Sequence, residues 1–205
     1  MTWTLGIDTS HYVAVGLARR GEPVVSRVVA DTRAHGESLA PLIQQVCAEA
    51  GIRLPEVGQF AVGMGPGPFT GLRVGIVAAR TLAFLSGLPV HGVCSLDVIA
   101  AQWEDAPREF IVASDARRKE YYWVRYLDGV RIGDPHVTAP EALPELPLAG
   151  PVADGPGPKN LDAAILAARW AELPPVDAEP FYLRPADAAV PTTRKSALPK
   201  LRLPR

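Results

Sequence analysis

The hydrophobic positions in the first part of the chain form three short runs separated by tight turns. They lie at residues 3–8, 12–18 and 24–29, and polar or turn-forming residues occupy the positions between them. Runs of this length, rich in Val, Leu and Ile, are typical of β-strands, and short turns between them indicate an antiparallel meander. The first run ends in a carboxylate, Asp8.

A helical pattern follows the meander. The spacing of three and four between apolar residues predicts one buried helix face, made of Leu39, Leu42, Ile43, Val46, Cys47 and Ala50. Gly51 is predicted to be its C-cap. The start has two readings, a cap at Gly36 or a cap at Ser38. Ser38 is preferred because it places Pro41 in the first turn, where a missing N–H costs little.

The next segment combines a strand, a glycine- and proline-rich loop and an apolar helix. Residues 59–63 are predicted to form the strand and residues 72–85 the helix, with Thr70 as its N-cap and Gly87 at its end. A further strand at 90–94 and a short helix at 95–101 complete this half.

The second half repeats the order of the first. Residues 110–115 form an apolar run that ends in Asp115, and runs at 121–127 and 130–137 follow across short turns. A helix over 163–173, capped by Asn160 or Asp162, is predicted later. The repeat predicts an α/β protein of two ribonuclease-H-like lobes, with mixed sheets flanked by helices, similar to the actin-like ATPase (ASKHA) fold. The predicted units are an N-terminal lobe at 1–102, a C-terminal lobe at 103–185 and a basic, mobile tail at 186–205.

Composition and charge argue against some functional classes. The 205 residues are 48% apolar with a formal net charge of -1, which argues against nucleic-acid binding by bulk charge. The basic tail is the exception, and a nucleic-acid contact there is the minority reading. Cys47 and Cys94 lack metal-type spacing and are predicted to be reduced core thiols. With no signal peptide evident, and an apolar helix judged too short and too rich in arginine to span a membrane, a cytoplasmic location is predicted.

Two stretches are candidates for binding a phosphate. Asp8, Thr9 and Ser10 at the end of the first strand could hold a phosphate or Mg²⁺-nucleotide, or could simply form a strand-ending turn. Asp115 at the matching place in the second half favours the first reading. The glycine-rich first phosphate loop of actin-like ATPases is absent, however, so nucleotide binding by this chain alone is the less favoured reading.

The second stretch is the loop containing Gly65, Gly67 and Thr70, which leads into a helix N-terminus, where anions bind. It lacks the lysine of a Walker loop. Anion binding and tight packing against a neighbouring strand are equally supported.

No complete catalytic site can be assembled from the sequence. The four histidines are scattered, so no metal site is predicted, and neither a Gly-x-Ser-x-Gly elbow nor a cysteine with suitably spaced partners is present. We therefore predict no catalytic residue.

The helix after Thr70 is apolar on nearly all sides, which requires cover on more than one face. It could be a central helix inside the protein, or its second face could meet a partner protein together with the preceding helix. The second reading is preferred, and its interface residues are Leu39, Leu42, Ile43, Val46, Val74, Val77, Ala78, Thr81, Leu82 and Leu85.

Taken together, these motifs resemble the TsaB (YeaZ) family across most of the chain. The similarity rests on the segments 5–10, 33–43, 65–75, 95–97, 115–123 and 182–184. The glycine loop and the Asp115-Ala-Arg strand are specific only in combination. Gly36 and Pro68 stand where the family usually has serine. The serine missing at position 68 removes a hydroxyl that could contact an anion.

The resemblance implies a two-lobed actin-like fold and a role in forming threonylcarbamoyladenosine next to the anticodon of tRNA. It implies a non-catalytic subunit that dimerises with the metal-containing TsaD subunit, engages the small ATPase TsaE and meets tRNA through the complex. Homodimers through the same helices are also implied, as is ATP at the level of the complex, with no cofactor in this chain. Two alternatives stay open: a stand-alone ATPase or peptidase of this fold, and a self-contained homodimeric module.

Overall fold

The first sheet has five strands in the order β3-β2-β1-β4-β5. In this computed structural model, which describes residues 2–30, 35–176 and 179–184, strand β1 pairs antiparallel with β2 and parallel with β4. The strands are β1 (Trp3–Asp8), β2 (Val13–Arg19), β3 (Glu22–Val29), β4 (Val57–Gly63) and β5 (Val90–Val93). The predicted meander is confirmed, and β4 and β5 extend it in parallel.

A second sheet repeats this order with one strand fewer, β8-β7-β6-β9. Its first three strands are an antiparallel meander, and β9 joins β6 in parallel, as β4 joins β1. The strands are β6 (Glu109–Asp115), β7 (Tyr121–Leu127), β8 (Val130–Thr138) and β9 (Leu148–Ala149). The predicted repeat is therefore confirmed at the level of topology.

Four α-helices flank the sheets in the described part of the chain: α1 (His35–Glu49), α2 (Phe69–Ser86), α3 (Ser95–Ala101) and α4 (Ala163–Arg169). Strand residues alternate between two buried faces, because side chains point to opposite sides at period two. Leu5 and Ile7 of β1 belong to a core shared with α1 and α2. On the opposite face, Ala14 and Ala61 join a core formed with α3, α4 and the second sheet.

Glycine lets α4 approach the first sheet closely. A Cβ on Gly16 would lie 2.2 Å from the backbone nitrogen of Ala164, and one on Gly6 would lie 2.2 Å from the carbonyl oxygen of Ala163. Helix α4 follows the second sheet in sequence but packs on the strands of the first. The two halves thus share a core. The lobe boundary at residue 102 stays a prediction, although each sheet falls within one predicted lobe.

Helix ends differ from the sequence predictions at two places. Helix α2 starts at Phe69, with Pro68 as its N-cap, so the prediction of Thr70 as cap is wrong. The Pro68 carbonyl accepts the first helical bond, from Leu72 N at 3.0 Å, and Thr70 is exposed in the first turn. His35 is already part of helix α1, so Pro41 lies inside the helix rather than in its first turn.

Other local predictions are confirmed. Gly51 ends α1 and Gly87 ends α2, both with positive φ, and Asp162 caps α4 by accepting a hydrogen bond from Ala164 N at 2.8 Å. Helix α4 ends at Arg169, four residues earlier than predicted. Both cysteines are free and buried.

Of the described helices, α2 alone is long and apolar enough to cross a membrane, by length and composition. It has 18 residues, so the prediction that it is too short for that test is wrong; the difference arises because it begins at Phe69. One of its faces packs in the core of the first sheet, and 33% of the helix is buried. The predicted tail, residues 186–205, lies outside the described residues.

Candidate functional site

Asp8 is buried, and both of its carboxylate oxygens accept hydrogen bonds from the protein. Its side chain is 2% exposed at the end of β1. Oδ1 accepts hydrogen bonds from the backbone N–H of Ser10 at 2.9 Å and from the Ser10 hydroxyl at 2.7 Å. Oδ2 accepts one from the Ser95 hydroxyl at 2.5 Å. Burial raises the pKa of the Asp8 carboxyl, and the hydrogen bonds from Ser95 and Ser10 partly offset that rise.

Ser95 connects Asp8 to the glycine loop. Its hydroxyl accepts a hydrogen bond from Gly65 N at 3.1 Å, and its own backbone N donates to the Gly65 carbonyl at 2.8 Å. Gly63 leaves room for the carboxylate, since a Cβ there would lie 1.7 Å from Asp8 Oδ2. The start of α3 and the loop are thereby held against the end of β1.

Thr9 fastens the same strand end to α2. Its hydroxyl donates to the Gly71 carbonyl at 2.7 Å and accepts from Gly75 N at 3.0 Å. Added Cβ atoms at Gly71 and Gly75 would lie 2.9 Å and 2.5 Å from Thr9 oxygens, so both glycines are needed for this close approach. Gly67 likewise packs on the backbone of Ser10. These contacts support the tight-packing reading of the loop, and the anion-binding reading stays a prediction.

The region between the two sheets leaves little free space beside Asp8. The cavity lined by Asp8, His11, Ser114 and Asn160 measures about 20 Å³, which is room for about one water molecule. The Asp115 side chain contacts the turn between β6 and β7, where it accepts a hydrogen bond from Arg117 N at 2.8 Å. The structure therefore joins Asp8, Thr9, Ser10, Gly65 and Gly67 into one packed cluster, and leaves Thr70 exposed and Asp115 tied to its own turn.

A wider groove lies away from these residues. It encloses about 550 Å³ beside the edge strand β5, and His91 stacks there on Trp170 with ring centroids 3.6 Å apart. None of the residues predicted to bind a phosphate lines it. Among the described residues, no group of three or more His, Cys, Asp or Glu could hold a metal ion.

Helix α2 has one face in the core and one face outside. Its buried residues are Gly71, Leu72, Gly75, Ile76, Ala79 and Ala83. On the outer face, Val77 is 55% exposed and Leu85 is 75% exposed. Thr81 is also exposed, whereas Val74, Ala78 and Leu82 are half-buried against the core. The outer face of α2 is therefore open to contact.

The α1 residues predicted to join that surface do not do so. Leu39, Leu42, Ile43 and Val46 are at most 6% exposed and pack in the core of the first sheet. Their assignment to a partner interface is wrong. The apolar face of α1, from which the helix was predicted, is buried against the first sheet.

The sequence predictions missed two aromatic residues on α2. Phe84 is 85% exposed, one heptad after Val77, a spacing that could have revealed it. Phe69, at the start of the helix, is 38% exposed and lies between the ring of Tyr182 at 4.8 Å and the guanidinium of Arg73 at 5.1 Å. These side chains add apolar area to the outer face of α2, which also carries the exposed Arg73 and Arg80.

Comparison with known proteins shows the family. The family model described as TsaD: tRNA N6-adenosine threonylcarbamoyltransferase matches residues 24–164, more than half of the chain. The solved structure of YeaZ from Pseudomonas aeruginosa is 30% identical, with a TM-score of 0.70 over 89% of this chain and 100% of that one. The chain belongs to the TsaB (YeaZ) family. The resemblance seen in the sequence is thus confirmed.

Other relatives differ in how much of the chain they match. An uncharacterized protein of Mycobacterium tuberculosis is 40% identical over 204 residues, covering 90% of this chain and 92% of the relative. The tRNA threonylcarbamoyladenosine biosynthesis protein TsaB of Haemophilus influenzae is 39% identical over 122 residues, which is 58% of this chain and 51% of that protein. The predicted α/β fold, with two mixed sheets flanked by helices, is confirmed by the sheet topology and by the likeness to YeaZ.

Proposed function

We propose that this protein is a non-catalytic subunit in the formation of threonylcarbamoyladenosine in tRNA, and that it pairs with a TsaD-type transferase through the outer face of α2. The observation behind the proposal is that Val77, Phe84 and Leu85 on that face are each more than half exposed to solvent. An apolar surface of this kind on a soluble domain marks a site of protein contact.

The packed cluster around Asp8 supports a structural role for the strand end. Both carboxylate oxygens already accept hydrogen bonds, and the adjoining cavity of about 20 Å³ is far smaller than a nucleotide site. The cluster instead holds the glycine loop, and with it the start of α2, in one orientation. A rigid helix limits the entropy lost when the partner binds.

The reaction in the proposal, formation of threonylcarbamoyladenosine, is inferred from the family. Relatives are named as tRNA threonylcarbamoyladenosine biosynthesis proteins, and the matching family model describes the transferase. As further parts of the proposal, a TsaE-type ATPase and tRNA join through the complex, ATP acts only at that level, and isolated copies dimerise through α2. A cytoplasmic location is a further part of the proposal.

The interface can be tested with Val77→Glu and Leu85→Glu. Each puts a carboxylate into the proposed contact, so affinity for the transferase subunit should fall by at least about a hundredfold, because burying a charge in an apolar contact costs several kcal/mol. The matched control is Val130→Glu, since Val130 is 63% exposed on β8, away from α2. The measurement is complex formation with the purified transferase subunit by calorimetry. Unchanged affinity in both α2 variants contradicts the interface.

The reaction itself is tested in cells depleted of the protein. Threonylcarbamoyladenosine in total tRNA should fall, and the wild-type gene should restore it while the α2 variants do not. Normal levels after depletion favour the homodimeric module instead. Turnover of ATP, or cleavage of peptides, by the purified chain alone favours the stand-alone enzyme.

A further inference from the structure

We propose that the turn between β6 and β7 is a contact site for RNA backbone phosphates, formed by Arg117, Arg118 and Lys119. The proposed function supplies only the identity of the RNA, a tRNA. The site itself follows from the backbone of the turn, its charge and its position next to α2.

The backbone of this turn does not require basic residues. Arg117, Arg118 and Lys119 all have left-handed conformations, with φ of 63°, 53° and 61°. A left-handed backbone costs roughly 1 to 2 kcal/mol for each residue with a Cβ, and glycine or asparagine lowers that cost. Elsewhere among the described residues, each run of consecutive left-handed positions contains a glycine. All three positions therefore carry the conformational cost of a left-handed backbone without a glycine to lower it. Long cationic side chains at these positions indicate a role beyond turning the chain.

Local hydrogen bonds hold the turn in this shape. Asp115 accepts a bond from Arg117 N at 2.8 Å, and Ala116 N donates to the Glu120 carbonyl at 2.8 Å. Glu120 N in turn donates to the Arg117 carbonyl at 3.0 Å. The three basic residues are exposed on this closed loop. The Arg117 guanidinium also forms an ion pair with Asp115, with 3.3 Å between Nη1 and Oδ2, so part of its charge is already compensated within the turn. The backbone of the turn is therefore ordered before a phosphate binds, and binding has to order only the side chains.

Positive charge is concentrated here although the whole chain has a net charge of -1. Residues 115–120 contain three basic and two acidic side chains. Arg184 adds a fourth cation beside the turn, where it forms an ion pair with Glu120. A local excess of cations is the feature that attracts nucleic-acid phosphates.

The turn also lies on the same side of the protein as the start of α2. The segment 179–184 connects them: Phe181 N donates to the Met64 carbonyl at 2.9 Å, Tyr182 packs on Phe69, and Arg184 reaches Glu120. RNA bound at the turn is therefore adjacent to the proposed partner helix. The site belongs beside the proposed interface rather than in the packed cluster around Asp8.

The test uses the full-length protein bound to its transferase partner. The probe is an unmodified tRNA transcript with adenosine next to the anticodon, followed by fluorescence anisotropy between 50 and 200 mM salt. Arg118→Gln/Lys119→Gln should weaken binding about tenfold or more and reduce the slope of log K against log salt by about 1.5 to 2, since each lost phosphate contact removes nearly one unit. The matched control is Arg20→Gln/Arg108→Gln. Arg20 is exposed and left-handed in another turn, and the Arg108 side chain is 80% exposed.

Unchanged affinity and slope in the turn variant, or an equal loss in the control, overturn the RNA site. So does a variant that keeps tRNA binding and loses binding only to phosphatidylglycerol vesicles, since the turn then recognises an anionic membrane surface. The two proposals fail separately. If depletion lowers threonylcarbamoyladenosine but the turn variant restores it fully and binds tRNA normally, only the RNA site fails. If depletion has no effect while the variant still loses RNA binding, only the proposed function fails.

Discussion

Gly63 at the end of β4 gives the sharpest test of the packed cluster around Asp8. In Gly63→Ala, the new Cβ would lie 1.7 Å from Asp8 Oδ2 and 2.6 Å from Ser95 Oγ. Oδ2 has to move by more than about 1 Å to reach an allowed contact, which separates it from the Ser95 hydroxyl that now donates to it at 2.5 Å.

The expected loss of stability has two parts. A buried hydrogen bond to a carboxylate contributes about 1.5 to 3 kcal/mol, and overpacking a filled site costs about 1 to 3 kcal/mol. Together they lower the free energy of unfolding by about 2.5 to 6 kcal/mol, a large share of the 5 to 15 kcal/mol that is typical of a folded domain. Urea unfolding followed by far-UV circular dichroism measures this as a lower midpoint at an unchanged m-value.

Two comparisons show whether the clash with Asp8 is the cause. Gly36→Ala is the control, because an added Cβ there meets nothing within 4 Å and the helical position should gain a few tenths of a kcal/mol. In an Asp8→Ala background, the further cost of Gly63→Ala should drop to about 1 kcal/mol, since the displaced carboxylate is gone. A loss below about 1 kcal/mol in the wild-type background, or an equal loss in both backgrounds, refutes the reasoning.

Three further predictions concern packing, capping and pH. Gly16→Ala places a Cβ 2.2 Å from the backbone nitrogen of Ala164, so it should cost about 3 kcal/mol and lower hydrogen-exchange protection throughout α4; unchanged protection contradicts the close packing. Asp162→Ala removes the N-cap bond of α4 and should cost about 1 kcal/mol in urea unfolding, while the exposed Asp105→Ala should change stability little. Burial raises the pKa of Asp8 in the folded state, so over a range of pH the folded protein retains a proton that the unfolded chain releases. The stability that comes from this bound proton is lost as pH rises through the folded pKa. Wild type should therefore gain stability relative to Asp8→Asn as pH falls from 7 towards 4, and parallel pH profiles would contradict that assignment.

Local patterns determined most of the secondary structure and the repeat. The limits of β1 and β7 agree with the predicted runs at 3–8 and 121–127, and the helix at 95–101 was also predicted with its observed limits. These elements are delimited by turn residues next to them, so the information is local. The same holds for Gly51, Gly87 and Asp162, where a left-handed backbone or a capping oxygen is needed at one position.

The tertiary structure decided which apolar faces are exposed. Periodicity shows that Leu39, Leu42 and Val46 share a helix face, but it does not show whether that face meets the chain's own sheet or another protein. Only the packed structure buries α1 and leaves the outer face of α2 open.

The candidate site was likewise decided by contacts between distant residues. Asp8 and Ser95 are 87 positions apart, and Thr9 meets the glycines of α2 across more than 60 positions. The sequence alone showed a carboxylate after a strand and a glycine loop before a helix, a pattern that suits either a phosphate site or a packing contact. In the folded protein, hydrogen bonds from Ser10 and Ser95 occupy both oxygens of the Asp8 carboxylate. No local pattern encodes the contact with Ser95, because that residue is distant in sequence, and the contact favours the packing reading of this strand end.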